Sequence, residues 1–140
     1  NSVRHLVEIF PFAISDVNGF SQFTSGLDIN NKIDSIHGVK IIQTKNLDSF
    51  VHLPKPHAIK IDTEGHELMI IRGASSILEN GNLRLIILEY NHLDIQDIIK
   101  IMCNYQFVPV TLVHGNMKLN TNLTPTISGN LFFVRSELIA

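Results

Sequence analysis

Between positions 62 and 67 the chain reads Asp62-Thr63-Glu64-Gly65-His66-Glu67, which gathers carboxylates and an imidazole in one short stretch. Such groups move protons, and imidazole does so closest to neutral pH, so His66 is the first candidate for a general base and Glu64 the second. Asp62 ends the preceding apolar run and is the candidate for positioning a hydroxyl or an amino group. Two other clusters have the same setting: Ser15 and Asp16 follow the run ending at Ile14, and Glu89, Asn91 and His92 follow Leu83 to Leu88. Each has a plainer reading. Thr63 and Glu64 can cap the exposed amides of a helix start, Asp16 can be a turn residue, and Glu89 can be a solvent-facing carboxylate paired with a lysine or arginine. Capping and catalysis are compatible. His66, His92, Asp62 and Glu89 also offer metal-ligand chemistry, but the histidines lack the i, i+4 spacing of a helical metal motif, and no metal site is expected.

These groups need elements to hold them. The segment His5 to Ser15 is apolar but interrupted by Pro11, which predicts a short strand ending near Ile14. Asp16-Val17-Asn18-Gly19 is turn chemistry, with Phe20 and Phe23 on a strand returning antiparallel. A polar loop then covers Ser25 to His37, a strand Val39 to Thr44, and a short helical turn Leu47 to Phe50. Ala58 to Ile61 predicts a strand that runs into a helix carrying Leu68, Ile71, Ala74 and Leu78 on one face, stopped by Asn80-Gly81. Leu83 to Leu88 reads as a strand covered on both faces. Asp94 can cap a helix whose expected buried face is Ile95, Ile98, Ile99 and Met102, and Cys103 in that run reads as a small buried hydrophobe. Strands at Phe107 to Val113 and Leu131 to Val134 close the chain, with Gly115 to Gly129 as the loop between them. Strands alternating with helices imply parallel pairing, and the final pair, joined without a helix, implies an antiparallel edge. In such a sheet ligands bind beyond the carboxyl ends of the strands, where all three polar clusters lie.

The 140 residues are 44% hydrophobic and 17% charged, the profile of one globular unit. A formal charge of -2 leaves no basic excess for a phosphate backbone, so no nucleic-acid partner is expected. No stretch has the length of a membrane span, and no basic start followed by an apolar core marks a signal peptide. The single cysteine cannot form an internal disulfide, so a reducing compartment, and with it a cytoplasmic location, is expected. The triplet Asn122-Leu123-Thr124 reads as incidental without a secretory signal.

The run Ile59-Lys60-Ile61-Asp62-Thr63-Glu64-Gly65-His66-Glu67, followed by Ile71-Arg72-Gly73-Ala74 and by Ile86-Ile87-Leu88-Glu89, resembles the signature of the FkbM methyltransferase family. Leu47-Asp48 upstream, and Ala13-Ile14-Ser15-Asp16 with Gly19, match further elements of that signature in order. The resemblance implies an α/β, Rossmann-like class I methyltransferase sheet, mostly parallel with an antiparallel C-terminal strand pair. It implies transfer of a methyl group from S-adenosylmethionine to a hydroxyl of a sugar, lipid-linked or polyketide-type acceptor. It also implies roles: His66, Glu64 and Asp62 in catalysis, Ser15, Asp16 and Asp62 at the cofactor, and Glu89 and His92 at the acceptor. The family's glycine-rich turn and its ribose-binding acidic residue are expected upstream of Asn1, since Gly19, Gly26 and Gly38 are too dispersed to form a cradle. Residues 1–140 are therefore expected to be a single partial domain, its C-terminal part, with the N-terminal strands missing. Such a sheet would leave an apolar flank open to self-association. The rival reading is a non-catalytic remnant or interaction module unable to bind cofactor alone, and a third is a sugar- or nucleotide-binding Rossmann domain of another kind.

Overall fold

A computed structural model of the chain describes residues 3–27, 30–90, 94–113, 116–119 and 129–139. After a 3-10 turn at Arg4–Leu6, the short strand β1 (Ala13–Ile14) is followed by β2 (Gly19–Phe23) and β3 (Lys40–Lys45). These form a small sheet in the order β1-β3-β2. The expected hairpin of β2 with β1 is corrected, because β3 lies between them, parallel to β1 and antiparallel to β2. Asn18 explains the sharp exit from β1: its Oδ1 accepts from the Asn46 amide (2.9 Å) and the Ser49 hydroxyl (2.8 Å), pinning the 16–18 bend to the end of β3. One face of this sheet carries Phe20 and Ile41 in the open, both more than 70% exposed.

The second sheet contains β4 (Ala58–Ile61), β5 (Leu85–Tyr90), β6 (Phe107–Val113), β7 (Asn116–Leu119) and β8 (Gly129–Arg135). Its order is β4-β5-β8-β6-β7. β4 and β5 run parallel, as expected of strands joined through helices, but β8 inserts antiparallel between β5 and β6. The sheet is therefore mixed rather than mostly parallel. The C-terminal pair β6 and β8 is antiparallel as expected, yet β8 is interior and the edge belongs to β7, a strand within the stretch read as loop. The glycosylation triplet lies outside the described residues.

Helices α1 (Glu67–Arg72), α2 (Ser75–Glu79) and α3 (Ile95–Asn104) cover this sheet. Leu68, Ile71, Ile77 and Leu78 join Ile86 and Leu88 of β5 and Phe133 of β8 in the core. On α3 the buried residues are Ile95, Ile98 and Met102, the stripe that 3.6-residue periodicity selects. Cys103 sits one position beyond that stripe and is exposed, which corrects its reading as a buried hydrophobe. Leu85 and Ile87 are only half-buried, so β5 is fully covered on one face and partly on the other.

The single helix expected up to Asn80-Gly81 is corrected to two, broken at Gly73-Ala74. At the break only glycine fits: a Cβ on Gly73 would stand 2.4 Å from the Ser15 carbonyl oxygen and 2.9 Å from Asp16 Cα. Asp48, in the 3-10 turn Leu47–Phe50, restarts the helix. Its Oδ2 accepts from the Ser76 amide and its Oδ1 from the Ile77 amide, each at 3.1 Å. α2 has no side-chain cap of its own, so a carboxylate from another element satisfies amides that the helix cannot. The Asp48→Ala variant should lose about 1 to 2 kcal/mol in urea denaturation, with Asn recovering part of it. An unchanged midpoint would contradict this role.

Arg135 at the end of β8 closes the structure. It is 8% exposed, and its guanidinium donates to four carbonyls: Leu83 (3.0 Å), Tyr105 (2.8 Å), Leu78 (2.7 Å) and Asn80 (2.8 Å). Its carbon Cζ lies 4.4 Å from the Phe107 ring centroid. One side chain thus joins the ends of α2 and α3 and the approach to β5.

Candidate functional site

The register of β4 on β5 decides where the acidic groups emerge. Ile61 is opposite Leu88, so the next residues, Asp62 just past β4 and Glu89 still within β5, stand side by side. Asp62 accepts a hydrogen bond from the Lys60 ammonium and shares one with Glu89. The lysine bond holds the Asp62 carboxyl below its ordinary range, whereas the bond to Asp62 and the neighbouring negative charge raise Glu89. Of the two, Glu89 is the one that holds a proton more tightly.

Past Asp62 the backbone turns through Gly65, whose φ of 88° lies in the left-handed region that glycine enters without a Cβ penalty. Glu67 holds the turn. Its Oε1 accepts from the Thr63 hydroxyl (3.1 Å) and the Gly65 amide (3.2 Å), and the residue is 7% exposed. The capping expected of Thr63 and Glu64 is corrected accordingly. The N-cap position of α1 falls on His66, which makes no capping bond, and the group that satisfies the turn amide is Glu67 reaching back.

Asp62, Glu64 and His66 all line a cavity of about 590 Å³ between β4 and the small sheet. Its apolar wall includes Phe12, Ile14, Ile42, Ile59 and Ile61, while Lys60 and Thr63 add polar groups. His66 is fixed from behind. Its Nε2 lies 2.9 Å from Ser15 Oγ, and that hydroxyl donates to Asp16 Oδ1 at 3.0 Å. Burial of the ring lowers the His66 pKa from its ordinary value, and the negative charges of Asp16 and Glu67 offset part of the shift. At neutral pH the ring is therefore an unprotonated base.

The residues singled out in the sequence thus fall into distinct places. Asp62, Glu64 and His66 share the cavity. Ser15, 5% exposed, and Asp16 lie behind it and reach it through the imidazole. Glu89 is outside the lining but in contact with Asp62, and His92 lies outside the described residues. Sequence reasoning missed Lys60, Glu67 and the contribution of Phe23, Lys32 and Ile33 from the stretch around the polar loop. For Glu67 a signal existed, an acidic residue in the first helical turn; for Lys32 and Ile33 there was no periodicity to read. Among the described residues no three of His, Cys, Asp and Glu cluster closely enough to hold a metal ion, and no helix is long and apolar enough to cross a membrane.

The profile of a family described as the methyltransferase FkbM domain matches residues 2–109. Over 71 residues the chain is 32% identical to the hexuronic acid methyltransferase AglP of Haloferax volcanii, a stretch covering 49% of this chain and 29% of that protein. The crystal structure of methyltransferase FkbM from Methylobacillus flagellatus KT superposes with a TM-score of 0.57 at 15% identity, covering 91% of this chain and 28% of that one. At such identity the likeness concerns the fold. The chain spans less than a third of the length of either protein.

Proposed function

The chain belongs to the FkbM methyltransferase family, and from that membership we propose that it forms the acceptor-activating part of an S-adenosylmethionine-dependent O-methyltransferase of Rossmann-like fold. The acceptor is a hydroxyl, on a sugar, lipid-linked or polyketide-type molecule. The similarity to a protein named for hexuronic acid favours the sugar among these. The observation that carries the proposal is the convergence of Asp62, Glu64 and His66 on one apolar-walled cavity.

That cavity suits the cofactor. Its volume of about 590 Å³ lies within the roughly 300–1,000 Å³ of small-molecule sites. Apolar walls accommodate a purine ring, and the carboxylates of Asp62 and Glu64 complement a cationic sulfonium and its amino group. When bound, S-adenosylmethionine supplies an electrophilic methyl group. The chain's own work is to orient the acceptor oxygen and to take its proton. His66 is the base, because burial keeps its ring neutral at physiological pH. Glu64 and Asp62 orient the acceptor and the donor's cationic end, and Glu89, beside Asp62, can accept a hydrogen bond from a sugar hydroxyl. Ser15 and Asp16 contribute through the ring they hold rather than by lining the cavity.

Residues 1–140 form, in this proposal, a single partial domain. Among the described residues β4 pairs only with β5, so its other edge is open to further strands. The test is an assay of the full-length protein with S-adenosylmethionine and uronic-acid-bearing oligosaccharides, read by mass spectrometry. Gain of one methyl per acceptor is the expected result. Folded protein that methylates none of the sugar, lipid-linked or polyketide acceptors would favour the non-catalytic rival.

A further inference from the structure

Ser15 is joined to His66 across 51 positions of sequence, and the direction of its hydrogen bonds carries chemical information. An ionised carboxylate only accepts hydrogen bonds, so the single hydroxyl hydrogen of Ser15 is the one given to Asp16 Oδ1 at 3.0 Å. Ser15 Oγ then has only lone pairs to offer the imidazole. The 2.9 Å contact with His66 Nε2 must in that case be a donation from Nε2–H to Oγ. Among the described residues no hydrogen bond engages Nδ1.

We propose that Ser15 is the positioning residue of the base: the chain Nε2–H to Oγ–H to Oδ1 of Asp16 fixes His66 as the Nε2–H tautomer and leaves Nδ1 as the nitrogen that accepts the proton. When the acceptor hydroxyl is activated, its O–H bond breaks, the electron pair stays on oxygen, and an N–H bond forms at Nδ1. The resulting imidazolium keeps its Nε2–H on Ser15, and the anionic Asp16 lies one hydroxyl away to stabilise it. Ser15 itself is not a nucleophile, since it is 5% exposed and does not line the cavity.

The identity of the proton-accepting nitrogen rests on the reading of His66 as a base, but the tautomer does not, so it can be tested without cofactor or acceptor. Long-range proton–nitrogen correlation spectra of ¹⁵N-histidine-labelled protein above neutral pH separate the two nitrogens, with the His66 signals identified by their loss in His66→Gln. We expect a pyrrole-type shift at Nε2 and a pyridine-type shift at Nδ1. In Asp16→Ala the freed hydroxyl can donate to Nε2, so the population should move toward Nδ1–H. In Ser15→Ala the Nε2 proton loses its acceptor, and its resonance should be lost to solvent exchange, with Ser15→Thr restoring it. An Nδ1–H tautomer in the unsubstituted protein overturns the proposal, and so does an unchanged tautomer in Asp16→Ala or a persistent Nε2 proton in Ser15→Ala. A fixed Nε2–H tautomer in a protein without methyltransferase activity would leave the relay standing and remove the catalytic reading alone.

Discussion

Replacing His66 by glutamine should lower kcat for methyl transfer by about 10²–10⁴-fold, the range that a positioned general base contributes. Glutamine keeps polarity and approximate size at a half-buried position, so folding should survive while the proton acceptor is lost. The pH dependence supplies the second half of the prediction. Because burial lowers the His66 pKa, the neutral ring persists to a more acidic pH than an exposed histidine allows. The rate should therefore be level through neutrality and fall only as the pH drops below about 6.5. His66→Gln should abolish that acid limb as well as the rate. Steady-state kinetics across pH check both, and a variant within about threefold of the parent would remove His66 from the role of base.

The largest effect on stability should come from Arg135, far from the cavity. Its guanidinium donates to carbonyls at Leu78, Asn80, Leu83 and Tyr105, and all four would lose that charged donor together, Asn80 keeping its second bond from the Leu83 amide. Leucine in its place keeps apolar bulk against Phe107 but offers no donor. Hydrogen bonds from a charged group are worth about 1.5–3 kcal/mol each, and orphaned buried acceptors add to the loss, so Arg135→Leu should cost more than about 3 kcal/mol. The melting temperature should fall by on the order of 10 °C. Arg135→Lys should recover less than half, because an ammonium is a point donor and cannot span the same fork. A shift under about 2 °C would show that water or neighbouring groups satisfy those carbonyls instead.

The sequence made parts of this structure legible and concealed others for identifiable reasons. The strand from Ala58 to Ile61, the turn at Gly65 and the helix after it were readable because each signal is local: apolar alternation, a glycine where φ is positive, then helical spacing. The order β1-β3-β2 was not, since it depends on pairing across the intervening loop. The need for glycine at position 73 depends on the Ser15 carbonyl, which sequence spacing cannot bring near. β7 escaped because Asn116 to Leu119 carries no β-branched residue. Arg135 had no signal, as a charged residue at a strand end reads as surface.

The candidate site divides in the same way. Asp62, Glu64 and His66 stand on one turn, and their common setting could be read from the strand that precedes them. Ser15 and Asp16 were noticed as residues after a strand, but their bond to the imidazole is a product of tertiary packing. Asp48 belonged to the motif that suggested the family, and its place in the fold is structural: it caps α2.

The proposed function depends most directly on a methyl donor lodging against the acidic turn that closes β4. Isothermal titration of the full-length protein with S-adenosylhomocysteine measures this. The prediction is saturable binding, weakened about tenfold or more when Asp62 is replaced by asparagine, as expected for loss of one charge-assisted bond of about 1.5–3 kcal/mol. Absence of heat from folded protein, or equal affinity in Asp62→Asn and Glu64→Gln, would contradict it.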